Sequence, residues 1–170
     1  MAATMGNGER RQRGYGYLLL LFAVAALGLG LAQVGEAWSR IIHRAKENEL
    51  LYRGADIARA IGRYRALTPE GGAAWPRSLD DLVEDRRFPF PVRHLRRVWR
   101  DPFTGEADWE LVRGGGGIVG VRSRSELRPL RTHALPAELD PSAAHARRHA
   151  DWLFRPQLHG AAPPPAAQEQ

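Results

Sequence analysis

Cysteine does not occur among the 170 residues of this chain, and its absence excludes disulfide bridges and thiolate metal sites. Lysine is nearly missing as well, because Lys46 is the single lysine among the 25 basic residues. The excess of arginine accompanies abundant alanine, glycine and proline, a skew typical of a GC-rich genome. The formal charge of +6 therefore says little about an anionic partner such as nucleic acid.

Charged residues are also missing from a long stretch near the amino terminus. From Tyr15 to Val34 the chain runs for twenty residues without Asp, Glu, Lys, Arg or His. At about 1.5 Å per residue, a helix of this length crosses a hydrocarbon core of about 30 Å. A cleaved secretory signal usually has a shorter apolar region and a small-x-small cleavage site, for which Gly35-Glu36-Ala37 is a weak candidate. The run therefore predicts a transmembrane helix over residues 15–34.

Basic residues flank this run on both sides. Arg10, Arg11 and Arg13 precede it, and Arg40 and Arg44 follow it. Counting cations therefore leaves the orientation in a membrane open. Because the leading segment is short and its arginines adjoin the apolar run, a cytoplasmic amino terminus is favoured.

A second helical pattern continues beyond the membrane-length run. Apolar residues recur three or four positions apart as far as Tyr64, which predicts an amphipathic extension of the same helix over residues 35–65. Glu47 is expected on its polar face. Pro69, followed by a pair of glycines, then ends the helix.

The segment after the long helix, residues 66–131, predicts a small α+β head. Ser78 and Asp81 are spaced to cap a short helix, and the stretch 93–100 places its apolar side chains on one helical face. Two strands, 109–112 and 118–122, predict an antiparallel hairpin joined by a loose loop of four glycines.

The remainder of the chain, residues 132–170, is rich in alanine and proline. It is expected to be largely disordered, apart from a candidate short helix at 142–154. The predicted fold class is therefore α+β: a long amino-terminal helix, transmembrane in its first half, packed on a small antiparallel sheet.

Several polar clusters are candidate sites of chemistry. His145 and His149 have a spacing that can hold zinc, but no glutamate stands between them to act as a base. Asp101 and the acids that follow it offer oxygens to calcium without a complete binding loop. The acids at 80–85 and the arginines at 93–100 are more typical of solvated or packing faces than of catalysis or nucleic-acid binding. No enzyme, cofactor or metal site is predicted.

Taken in order, these features resemble the type IV pilin-like proteins, and among them the major type of pseudopilin of type II secretion systems. Arg13-Gly14-Tyr15 is similar to a prepilin cleavage junction, where a basic residue and a glycine precede an aromatic residue and a membrane helix. Trp75-Pro76-x-x-Leu79 resembles a Tyr-Pro-x-x-Leu stretch found after the long helix of such heads. The turn 101–105 and the strand 118–123 resemble the Asp-Pro turn and sheet of the major type. The resemblance covers about residues 10 to 130.

The resemblance implies a pilin-like fold and a structural subunit rather than an enzyme. Residues 1–14 would form a cytoplasmic leader, which a prepilin peptidase removes after Gly14 before it methylates the new amine of Tyr15. The mature chain would stack its helix in a short filament, with Tyr17, Leu18 and Leu19 at the assembly end. Prepilin peptidase, other pseudopilins, inner-membrane secretion components and membrane lipid are the implied partners. The implied location is the bacterial inner membrane, with the head in the periplasm.

The sequence departs from the family pattern at two places. Leu19 stands where the family has glutamate, the fifth residue after the cut, which is thought to meet a neighbour's amino-terminal amine. Its replacement favours a minor, initiating or tip-associated role, or a divergent branch. The stretch 123–131 has only Glu126 where calcium-binding heads carry several ligands, so no calcium site is expected. The alternative function is an unprocessed single-pass inner-membrane protein whose periplasmic head binds a partner, and a signal-anchored enzyme is a third class.

Overall fold

A computed structural model describes residues 12–157, except for the side chains of residues 12–14, 31–34, 36 and 37. The chain divides between His43 and Arg44 into two compact units, and the described part of the second, residues 44–157, is called the head. In chain order the elements are helices α1 (Gln12–Ala66) and α2 (Asp80–Val83), strands β1 (Glu110–Gly114) and β2 (Gly117–Arg122), two 3₁₀ helices (Pro141–His145 and His149–Asp151) and strand β3 (Leu153–Phe154). The predicted α+β class is confirmed.

Helix α1 supplies one side of the head's core. Leu50, Ile57 and Ile61 are fully buried. They lie seven and four residues apart, which places them on one face of the helix and forms the predicted apolar stripe. Glu47 was expected on the polar face, and this prediction is wrong because only 2% of the residue is exposed. Its carboxylate accepts hydrogen bonds from backbone N–H groups, which compensates for the loss of water. The helix ends at Ala66, close to the predicted end.

The sheet has three antiparallel strands in the order β1-β2-β3. The predicted hairpin is confirmed, but its loop is not loose. Gly115 and Gly116 have φ values of 58° and 88°, the positive values that a two-residue turn with the twist of its strands requires. A Cβ atom at Gly115 would lie 2.6 Å from Nε1 of Trp75. Four consecutive glycines therefore permit a tight turn that packs against an indole.

The disordered tail predicted for residues 132–170 is wrong over the part that the structure describes, which ends at 157. Trp152 and Phe154 are fully buried, and Phe154 pairs with Val121 at the edge of β2. The helix expected at 142–154 is replaced by two 3₁₀ helices and strand β3. The large apolar residues of this stretch stand among alanine, arginine and proline, and only the finished core shows that they fill it. Residues 158–170 lie outside the described residues.

The helix expected at 93–100 is also absent, since this stretch has no regular secondary structure. The backbone N–H groups of His94 and Leu95 both donate to the carbonyl oxygen of Leu82, at 2.9 and 2.8 Å. These hydrogen bonds to α2 take the place of the hydrogen bonds that a helix would form within the stretch. The side chain of Leu95 is buried. Ser78 was predicted as the N-cap of α2, but Leu79 occupies that position and makes no side-chain cap. The predicted pairing with Asp81 does form, because Ser78 Oγ accepts from the N–H of Asp81 while Asp81 Oδ2 accepts from the N–H of Ser78.

Candidate assembly surface and the Arg87 loop

The amino-terminal part of α1 presents apolar side chains to its surroundings in every direction. Between residues 15 and 30 every side chain is exposed, and Trp38, Ile41 and Ile42 extend the set. No described residue of the chain covers them. An apolar surface all round a helix is typical of a helix that lipid or other helices surround. The large exposed apolar residues up to position 30 are Tyr15, Tyr17, Leu18, Leu19, Leu20, Leu21, Phe22, Val24, Leu27 and Leu29.

The predicted processing and assembly residues lie together at the start of this helix. Gly14 and Tyr15 belong to the first turns of α1, whose first turn contains no acidic residue. Tyr17, Leu18 and Leu19 are 64%, 66% and 59% exposed. Successive helical residues are about 100° apart, so these three side chains point in different directions. Their roles in processing and assembly stay predictions.

Among the residues that the structure describes in full, no helix reaches the length and apolarity needed to span a membrane. The segment predicted to be transmembrane, residues 15–34, ends in four residues whose side chains are outside the described part. Residues 1–11 of the predicted leader lie outside it entirely.

The head contains a buried ionic cluster that the sequence did not predict. Asp85 is 1% exposed, and the guanidinium of Arg87 contacts it through Nε and Nη2 at 2.9 and 2.7 Å. His94 Nε2 lies 3.0 Å from Oδ2 of the same carboxylate, the oxygen that Arg87 Nη2 also contacts. Arg87 also donates to the carbonyl oxygens of Tyr64 and Ala73, each at 2.7 Å. Its guanidinium carbon lies 3.4 Å from the centre of the Tyr64 ring.

This cluster fixes the charge of its carboxylate. Burial by itself would raise the pKa of Asp85, but hydrogen bonds from Arg87 and His94 and the charge of Arg87 lower that pKa to about 2. The hydrogen bonds to Asp85 correspondingly raise the pKa of Arg87. Because the carbonyl of Tyr64 belongs to the last turn of α1, Arg87 also satisfies one of the acceptors that a helix end leaves free.

The cluster closes a loop, which we call the Arg87 loop, at residues 85–92. Asp85 and Val92 form an antiparallel bridge, with their N–H and C=O groups 2.9 and 3.4 Å apart. Arg87 holds the middle of the first limb to α1. Phe90, between two prolines at the far side of the loop, is 82% exposed. The loop is thus fastened firmly at its base and carries an aromatic ring in water.

A second buried carboxylate connects α1 to the chain after the sheet. Oxygens of Glu47 accept from the backbone N–H groups of Leu130 and Arg131, the shortest contact being 2.8 Å. His149 Nε2 lies 3.9 Å from Glu47 Oε1, and the His149 ring stacks on Phe103 with centroids 4.4 Å apart. Glu47 therefore fixes the stretch after β2 against α1.

The residues considered for metal binding do not converge on a site in the structure. His145 is exposed and His149 is fully buried. Asp101 uses both carboxylate oxygens within the head: Oδ1 accepts from the N–H of Phe103 at 2.8 Å, and Oδ2 accepts from Ser123 Oγ at 2.5 Å. Among the described residues no group of three His, Asp or Glu side chains is placed to hold a metal ion.

Sequence reasoning missed Arg87, Phe90 and Glu47. The available signal was the stretch 85–92 itself, in which an Asp and two arginines precede a Phe-Pro-Phe-Pro run. Such a run predicts a turn, but nothing in it shows which of the arginines is buried. In comparisons with protein-family models, curated proteins and solved structures, nothing matches this chain.

Proposed function

We propose that the chain is a pseudopilin-like structural subunit of a type II secretion assembly or a related type IV pilus-like assembly. It is processed by a prepilin peptidase after Gly14, and its helix stacks against those of other subunits. The observation that carries the proposal is helix α1, a single helix of 55 residues. Its first part is uncharged and exposed, and its last part forms the core of a head.

The two parts of α1 fit two steps of such an assembly. Before assembly, the segment 15–34 crosses the inner membrane, with the leader in the cytoplasm and the head in the periplasm. During assembly, the same side chains exchange lipid for neighbouring helices. Since lipid tails are as apolar as leucine, close van der Waals packing drives this exchange more than the hydrophobic effect does. In this scheme the head needs no catalytic chemistry of its own.

Leu19 favours a minor or tip-associated role over a self-polymerising one. A glutamate at this position would be costly in hydrocarbon unless a partner neutralised it. Leucine removes both that cost and the possible ion pair with a neighbour's amine. A subunit that needs other subunits to enter the filament is consistent with this change.

The proposal is tested by measuring the intact mass of the chain expressed with and without a prepilin peptidase. We expect loss of residues 1–14 and one added methyl group, only when the peptidase is present. Gly14→Leu should abolish the cut, because a large side chain replaces the glycine at the scissile bond. Gly16→Leu is the matched control, since a Cβ there meets no atom of the chain within 4 Å.

An uncut wild-type chain in the presence of active peptidase would overturn the proposal. The alternative, an unprocessed single-pass protein with a partner-binding head, would then stand. The observation that supports this second candidate is Leu19, which stands where the family has glutamate.

A further inference from the structure

The Arg87 loop holds the aromatic side chain at its tip in water rather than in the core. Phe90 is 82% exposed, whereas the neighbouring Phe88 is partly buried. Exposing a phenylalanine forgoes the favourable free energy that its burial would contribute. Proline on each side of Phe90 restricts the backbone of the tip.

The base of the loop is held by more contacts than a simple connection needs. Arg87 bonds to Asp85, Thr68, and the carbonyls of Tyr64 and Ala73. The bridge between Asp85 and Val92 closes the two limbs. A loop ordered in this way loses little conformational entropy when its tip enters a binding site.

The chain on both sides of the tip carries exposed arginines. Arg86 precedes Phe90, with 82% of its side chain exposed. Arg93 and Arg96 follow it, are exposed, and line an open cleft of about 470 Å³ together with His94 and Leu95. Among the described residues no acidic side chain forms an ion pair with Arg93 or Arg96, whereas Arg86 contacts Glu84 at 3.3 Å.

We propose that the Arg87 loop is a docking site for an acidic protein surface, with Phe90 entering an apolar recess and Arg93 and Arg96 meeting carboxylates around it. Interface hot spots are commonly side chains that fill a desolvated pocket, surrounded by contacts that exclude water, and arginine is among the residues enriched in them. An anionic bilayer would also attract the arginines, but it has no fixed shape and gains nothing from a rigid loop. The inference does not depend on cleavage at Gly14, so it stands or falls separately from the proposed function.

The test is photo-crosslinking in the native host, with the full chain carrying Phe90→p-benzoylphenylalanine. We expect one dominant adduct with a protein, mapped by mass spectrometry to a segment rich in Asp and Glu. The same group at Leu127, which is 53% exposed, should not give this adduct. Raising the salt concentration from about 0.05 to 0.5 M in a whole-cell lysate before irradiation should weaken the adduct, because the Debye length shortens about threefold.

Charge reversal separates docking from chance proximity. Arg93→Glu with Arg96→Glu should reduce the adduct at least tenfold, and changing the partner's carboxylates at the mapped segment to arginine should restore it. Arg128→Glu with Arg147→Glu changes the net charge equally at exposed positions and should leave the adduct unchanged. Adducts with phospholipid, an adduct insensitive to both salt and reversal, or no adduct above the Leu127 background would each overturn the proposal.

Discussion

At the scale of single residues, Asp85 and Arg87 show how a buried ion pair can fasten a loop. Their side chains are 0% and 13% exposed, and each desolvated group is compensated by several hydrogen bonds. Breaking such a pair by removing one partner leaves the other charge buried without its counter-ion, which typically costs about 3–5 kcal/mol. The pair therefore makes the loop's conformation strongly dependent on one carboxylate.

We expect Asp85 to make the stability of the head fall at acidic pH. Its folded pKa of about 2 lies below the ordinary value of 3.8. Its contribution is therefore fully present above about pH 5 and is lost as the pH falls towards 2, by an amount on the order of 2 kcal/mol. Thermal unfolding of the full chain in non-ionic detergent, measured from pH 7 to pH 2, checks this.

The variant Asp85→Asn should be less stable than the wild type at pH 7, and the difference should shrink as the pH approaches 2. Asp80→Asn is the control, because Asp80 is exposed on the adjacent helix α2. A difference between wild type and Asp85→Asn that stays constant from pH 7 to pH 2 would contradict the assignment.

Gly54 is a position where the absence of a side chain is required by packing. A Cβ atom there would lie 2.7 Å from three carbon atoms of the Phe154 ring. We expect Gly54→Ala to destabilise the head by about 1–3 kcal/mol, the usual cost of overpacking a core. In denaturant titration, Gly35→Ala in the same helix is the control, since a Cβ there meets nothing within 4 Å. Equal stability of the two variants would show that the ring moves aside freely.

At the scale of elements, strand β3 closes the core although it has only two residues. Its Phe154 lies over Gly54 of α1 and pairs with Val121 of β2. The ring of Trp109 meets the same phenylalanine edge to face, with centroids 6.4 Å apart. One side chain thus connects the long helix, the hairpin and the last strand.

We expect Phe154→Ala to cost about 3–5 kcal/mol of unfolding free energy, since it leaves a cavity where three elements meet. Leu130→Ala is the matched control, because Leu130 is 48% exposed. Denaturant titration and limited proteolysis of both variants check the prediction. If Phe154→Ala resisted protease as well as Leu130→Ala does, β3 would not be part of the cooperative unit.

The hairpin and the β3 segment differ in how far local sequence could predict them. β-branched residues on either side of a run of glycines predict the strands 109–112 and 118–122. In the structure both strands lie within two residues of these bounds. The segment 139–154 has no comparable pattern, because its order depends on contacts with residues far away in the chain. Long-range burial of this kind cannot be inferred from periodicity in a stretch of alanine, arginine and proline.

At the scale of the whole molecule, α1 carries two surfaces of different composition. Residues 15–30 are exposed and uncharged, while residues 50–64 are mostly buried and apolar, with exposed arginines at positions 59 and 63. A helix that was only a core element would not need the first surface. The proposed function assigns that surface to lipid and then to neighbouring subunits.

We expect the full chain to remain with membranes after extraction at high salt, and the double variant Leu21→Arg, Val24→Arg to be released. Each arginine near the centre of a spanning helix costs about 2.5–3.5 kcal/mol on the insertion scale. The control, Ile41→Arg with Ile42→Arg, adds the same charge beyond the predicted span and should stay membrane-bound. Fractionation followed by immunoblotting gives the answer, and equal release of both variants would contradict a span at 15–34.

The sequence by itself determined the helix, its uncharged first part, the hairpin and the hydrogen-bonded pair of Ser78 and Asp81, because each depends on neighbours in the chain: periodicity, turn residues and local hydrogen bonds. Only the tertiary structure decided the burial of Glu47, Arg87 and Phe154 and the exposure of Phe90. For these residues the free energy depends on partners up to a hundred positions away, such as the N–H of Arg131 for Glu47 or Gly54 for Phe154. A charged or an aromatic side chain can be stable either in water or buried among suitable partners, and contacts with distant residues decide which of the two occurs.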